Sequence, residues 1–233
     1  MRPQLEIDGA RAAHAVLLEQ LQGLTAVQVA GSSLLPGWTV GHVLTHLARN
    51  ADSHTGMFVA AQGGAVADQY PGGMTQRTAD IEAGATREPH EILADLRTSI
   101  ERLEAQWESS SIAAWAHGAG RTGNAGEQPL GELVFRRWRE TEVHHADLGL
   151  AFRWADWSAA YVDDELDRAI YALATRLPDG VTLRLEAEGV IGAWVVEPVI
   201  AERTTVRASK HELLAWLLGR HDRADWPGLA PWG

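Results

Sequence analysis

The stretch RWRETEVHHADLG, residues 137–149, sets a carboxylate at Glu140 four residues before an imidazole at His144, with a second imidazole at His145. On a helix, positions four apart share a face on adjacent turns. Glu140 and His144 can therefore chelate one cation, or they can form an ordinary charge pair. His145 points about 100° away, into the stripe of Val134, Trp138 and Thr141, and reads as a core or pocket histidine. Glu142 falls on the opposite side and reads as solvated. Two side chains do not close a metal site, so a third ligand has to come from another helix. His42, His46 and His54 stand in one such run. Periodicity slightly favours His54, which lies within the apolar stripe of that run, while His46 sits at its edge beside Asn50.

The remaining motifs point to little chemistry. GAGRTG, residues 118–123, matches the letters of a dinucleotide-binding loop. Such a loop needs a strand before it and a helix N-terminus directly after it. Here SIAAWAH precedes and the next helix waits until about residue 129, so a plain loop is expected. There is no G-x-S-x-G elbow and no phosphate-binding G-K-[ST].

Cysteine is absent, which removes disulfides, thiolate zinc sites and a cysteine nucleophile together. Any metal must sit on nitrogen and oxygen ligands, and any thiol chemistry must use an external thiol. The net charge of -11 argues against a nucleic-acid partner, because no basic surplus exists to replace counterions along a phosphate backbone. An anionic substrate would need local arginines. No apolar run approaches the roughly 20 residues that span a bilayer, and MRPQLEIDGARAAH lacks the basic-then-apolar layout of a signal peptide. A cytoplasmic protein without membrane partners is the expectation, with 45% hydrophobic and 22% charged residues suiting a globular chain.

The elements that position these residues can be read from periodicity. Residues 5–24 carry apolar positions at helical spacing. SSLLPGWT follows as a loop, and Thr39 is an N-cap for a helix over about 40–60, with Val40, Val43, Leu44, Leu47, Ala51 and Phe58 on one stripe. The polar segment QGGAVADQYPGGMTQR reads as a loop. A third helix starts near Pro89 and buries Ile92, Leu93, Leu96, Ile100, Leu103 and Trp107. A fourth spans about 130–148. Four long amphipathic helices suggest a bundle.

After FRWADW the pattern changes. A helix over about 159–177 ends at PDG, and VTLRLEAEG alternates Val181, Leu183 and Leu185 against polar neighbours as a half-buried strand does. VIGAWVVEPV and TTVRAS read as two further strands. Ser209 and Glu212 have the spacing of a capping box before a last helix that stops near Gly219. The expected fold class is α+β, with a helical bundle over 1–155 and a small α+β domain over 156–233.

GWTVGHVLTHLARNAD and RETEVHHADLG together resemble the mycothiol-dependent maleylpyruvate isomerase family, a branch of the DinB-like metalloenzymes. YPGGMTQRTADIEAG, RRWRE and LLAWLLGR extend the resemblance over nearly the whole chain. It implies a DinB-like four-helix bundle followed by a small domain resembling sterol carrier protein folds. It also implies the ligand set His46, Glu140 and His144, against the mild preference for His54.

Two histidines and one carboxylate leave an open position, as a catalytic zinc requires. The same set suits Fe(II), so zinc is what the resemblance implies rather than what the ligands dictate. Asp147, one turn beyond His144, either orients that ligand or is a surface aspartate. The implied activity is isomerisation of maleylpyruvate to fumarylpyruvate by addition of mycothiol, bond rotation and elimination of the thiol. The implied partners of the substrate's two carboxylates are Arg77, in the loop after the second helix, and Arg220, at the end of the last helix. Two alternatives share the scaffold: a mycothiol S-transferase that releases the conjugate, and a metal-binding protein without catalysis.

Overall fold

Ile7, Ala10, Ala13 and Leu17 recur at helical spacing and form the buried face of α1 (Gln4–Gln20) in the computed structural model. The structure describes residues 1–179, 181–192, 194–196 and 203–232. Thr25 caps the short α2 (Ala26–Ala30). The loop that follows ends at Thr39, whose hydroxyl accepts from the His42 backbone N–H at 3.3 Å while the Thr39 N–H donates to His42 Nδ1 at 3.2 Å. This reciprocal cap starts α3 (Val40–Gln62). It also uses His42 as a capping group.

The segment expected to be a loop contains a helix. α4 (Gly73–Ala85) buries only Ile81, Gly84 and Ala85, and so thin an apolar face leaves little periodic signal. Pro89 occupies the first turn of α5 (Pro89–Ser109), which buries Ile92, Leu96, Ile100, Leu103 and Trp107. α6 (Ile112–His117) leads into a hairpin of β1 (Ala119–Thr122) and β2 (Gly126–Pro129). The glycine-rich GAGRTG is therefore mostly a strand preceded by a helix, which removes the dinucleotide reading. Gly120 serves packing: a Cβ there would lie 2.6 Å from the Met57 Sδ. α7 (Leu130–Asp147) follows and stops at Gly149, whose φ of 69° suits glycine.

The chain divides into two compact units, Met1–Arg153 and Trp154–Gly233. In the first, α3 packs against α4, α5 and α7, and α1 packs against α7. One apolar cluster joins Leu17, Val43, Leu44, Leu47, Leu96 and Ile100.

In the second unit α8 (Ala159–Tyr171) packs on α9 (Lys210–Leu217). The sheet has the order β4-β3-β5, from β3 (Thr182–Ala187), β4 (Trp194–Val196) and β5 (Arg203–Ala208). β3 runs antiparallel to β4 and parallel to β5. Leu183 and Leu185 are buried as their alternation requires. The end of the expected middle strand, residues 197–199, lies outside the described residues. Ser209 caps α9 by accepting from the Glu212 N–H at 3.2 Å, and the Glu212 carboxylate is engaged by Arg223 at 3.1 Å. No helix among the described residues is long and apolar enough to cross a membrane.

Candidate metal centre

The Thr39 cap fixes where α3 begins and puts His46 in its second turn. α7 supplies Glu140 and His144 from adjacent turns. The packing of the two helices brings one ligand atom from each of these three residues within 4.8 Å of one another. Among the described residues no other group of three or more histidines and carboxylates is gathered in this way. His46 Nε2 lies 2.9 Å from Glu140 Oε2, and His144 Nε2 lies 3.4 Å from the same oxygen. The two imidazole rings stand nearly perpendicular, at 84°, with centroids 4.8 Å apart.

The other ring nitrogens assign the protons. Arg77 Nη2 lies 3.0 Å from His46 Nδ1, and a guanidinium can only donate. His46 Nδ1 is therefore the acceptor, and its proton sits on Nε2, facing Glu140. His144 Nδ1 lies 2.9 Å from Asp147 Oδ2, and Asp147 is only 2% exposed. It backs His144 and is no surface aspartate.

Burial, outweighing the attraction of Glu140, lowers the His46 imidazole to about 4. Burial alone would raise the Glu140 carboxyl, but the hydrogen bonds from His144 and His46 outweigh it and hold the group well below the usual carboxylate range. Burial also opposes charge on His144, yet its bonds to Asp147 and Glu140 overcome this and raise it to about 9. At neutral pH the cluster is a neutral imidazole, a carboxylate and an imidazolium. Two N–H groups converge on one carboxylate oxygen, where a divalent cation would replace them. Two nitrogens and an oxygen, one nitrogen backed by a buried carboxylate, fit such an ion.

Around this cluster, Trp38 meets the His46 ring edge-on, with centroids 5.6 Å apart. The Arg77 guanidinium lies over both Trp38, at 5.9 Å, and Tyr70, at 5.5 Å. Arg77 belongs to α4 rather than to a loop, so its side chain projects from a rigid element. It also lines a cleft of about 400 Å³ with Arg49, Asp52, Tyr70 and Asp80.

Arg220 lies in the second unit, just after α9, where its Nη1 donates to the Leu218 carbonyl at 2.8 Å. His54, favoured by periodicity, is buried and stands two turns past His46, outside the gathered group. Among the described residues its Nδ1 has no hydrogen-bond partner. His145 stacks on Phe152 with centroids 3.8 Å apart, as a core histidine should. Glu142 is 4% exposed and accepts from Trp138 Nε1 at 3.1 Å, so the expectation that it is solvated was wrong. Trp38 and Tyr70 carried no chemical signal of their own in the sequence. Their role comes from contact with Arg77.

Comparison with known proteins adds the relationship. The sequence profile of the mycothiol maleylpyruvate isomerase N-terminal domain matches residues 10–149. The chain is similar to a crystal structure of the mycothiol-dependent maleylpyruvate isomerase, at 23% identity and a TM-score of 0.83, over 95% of this chain and 90% of that one. A histidine-to-alanine mutant of that isomerase gives the same values. At this identity the likeness speaks for the fold. A search of curated proteins finds no match. With more than half of its length matched by the profile, the chain belongs to the mycothiol maleylpyruvate isomerase N-terminal domain family.

Proposed function

We propose that this protein is a zinc- and mycothiol-dependent isomerase that converts maleylpyruvate to fumarylpyruvate through addition, rotation and elimination of the thiol. The observation that carries the reading is the convergence of His46, Glu140 and His144 within 4.8 Å in a member of this family. Zinc held by these groups would supply a Lewis acid at which an external thiol loses its proton, and a cysteine-free chain has no thiol of its own.

The chain's residues do the rest. Glu140 stays ionised and gives the site an anionic ligand. Asp147 holds the His144 ring so that Nε2 faces Glu140. Arg77, one bond from His46 and flanked by Trp38 and Tyr70, presents a planar fork suited to one carboxylate of a small dicarboxylate. In this reading Arg220 takes the other carboxylate.

The test is product identity. Zinc-loaded protein is mixed with maleylpyruvate, with and without mycothiol, and the mixture is followed by proton NMR. The reading expects the trans isomer only when the thiol is present, with the thiol recovered unchanged. A stable thioether would move the function to an S-transferase. Bound zinc without any reaction would leave a metal-binding protein.

A further inference from the structure

Arg137 is the one charged side chain of RRWRE that is fully buried, with 0% exposure. Its Nε donates to His14 Nε2 of α1 at 3.0 Å. Its Nη1 donates to the Leu47 carbonyl of α3 at 2.9 Å and to Asn50 Oδ1 at 3.0 Å. Because a guanidinium only donates, His14 Nε2 accepts, and the His14 proton must sit on Nδ1. That nitrogen lies 2.7 Å from Glu104 Oε1 of α5. One chain of hydrogen bonds thus takes a side chain from each of the four long helices α1, α3, α5 and α7.

The positions it grips adjoin the metal centre. Leu47 follows His46 in α3. Arg137 precedes Glu140 by three residues and His144 by seven, so all three share a face of α7. Apolar helix faces tolerate small slides past one another, because their attraction is not directional. A buried guanidinium does not, since a slide would leave its charge without acceptors. Asn50 and the Leu47 carbonyl sit on the seam that must be kept for His46 to meet Glu140.

We propose that Arg137 is a positioning residue: pairing with Leu47 and Asn50, and backed by His14 and Glu104, it sets the register of α7 against α3 and hence the separation of His46 from Glu140 and His144. The proposal rests on the reading of those three residues as metal ligands. It assigns Arg137 no contact with substrate or metal.

The experiment uses the full chain as Arg137→Met, Arg137→Lys and Glu104→Gln variants. Zn²⁺ affinity is measured by competition with a chelator, and the ligand geometry by the visible absorption of the Co²⁺ form. Helical circular dichroism of the metal-free proteins checks the fold. Arg137→Met is expected to keep its helical signal, to lose about 10- to 100-fold in Zn²⁺ affinity, as loss of an outer-shell partner does, and to change the Co²⁺ bands. Arg137→Lys keeps the charge and one acceptor, so it should recover part of the loss. Glu104→Gln leaves Arg137 in place and should weaken Zn²⁺ binding several-fold in the same direction. If Arg137→Met does not fold, the other two variants decide. Folded variants with wild-type affinity and an unchanged Co²⁺ spectrum would overturn the proposal alone. A wild-type chain that binds no Zn²⁺ would overturn the ligand reading with it.

Discussion

Arg77 and His46 meet through Nη2 and Nδ1 at 3.0 Å, which ties the residue assigned to substrate binding to a ligand of the candidate metal centre. A neutral histidine that binds a metal through Nε2 carries its proton on Nδ1 and can no longer accept from a guanidinium. A metal held at His46 Nε2 would therefore release Arg77 from His46 and leave its fork available. Trp38 and Tyr70 keep the guanidinium in place meanwhile.

The first prediction concerns that arginine. Arg77→Ala should retain its zinc, because Arg77 is not a ligand, while kcat/KM for maleylpyruvate falls about 10- to 100-fold. That range corresponds to loss of charged hydrogen bonds of about 1.5–3 kcal/mol. Steady-state kinetics beside metal analysis check it. Unchanged kinetics would remove Arg77 from the site.

A second prediction follows from the protons. His144 is raised to about 9 and must shed a proton to bind a metal through Nε2. His46 at about 4 and the strongly acidic Glu140 are already deprotonated at neutral pH. Zinc affinity should rise about tenfold per pH unit up to about pH 9 and then level off, with about one proton released per ion. Calorimetry in buffers of different ionisation enthalpy counts that proton. A pH-independent affinity between 6 and 8 would contradict the assignment.

Asp147 should matter through His144 alone. Replacing it by alanine removes the acceptor that orients the ring, and zinc affinity should drop about 10- to 100-fold. Asn, which still accepts from Nδ1, should lose less. Equal affinities for both variants and the parent would show that the buried carboxylate has no orienting role.

His14 predicts acid sensitivity. Burial holds its imidazole at about 4 against an ordinary 6.5. As pH falls below 6.5 the unfolded chain takes up a proton that native His14 refuses until about pH 4, so stability is lost across that window and is constant above it. At pH 5 the loss comes to about 2 kcal/mol. Urea unfolding of the parent and a His14→Gln variant at pH 7.5 and pH 5 measures it. The parent should lose about that much more than the variant, and an equal loss would refute the assignment.

How legible all this was depended on whether a feature lay within one helix or between helices. Glu140 with His144 was visible because four-residue spacing defines a helix face by itself. Thr39 and Pro89 marked helix starts through local chemistry. The choice of His46 over His54 was not visible, because periodicity reports burial and says nothing of which histidine meets α7; the family resemblance supplied it. Glu142 was misjudged even within one helix: its bond from Trp138, four residues earlier on α7, was overlooked. α4 was missed because Ile81 is nearly its whole apolar face. The cross-bundle tie through Arg137 joins residues up to 123 positions apart, beyond the reach of any local pattern.

The most direct measurement is maleylpyruvate turnover by the zinc-loaded and chelator-stripped protein, each with and without mycothiol, beside His46→Ala and Glu140→Ala. The account predicts turnover only where zinc and thiol are both present, and loss of zinc and turnover together in both variants. Turnover by the stripped protein, or variants that keep full activity, would contradict it.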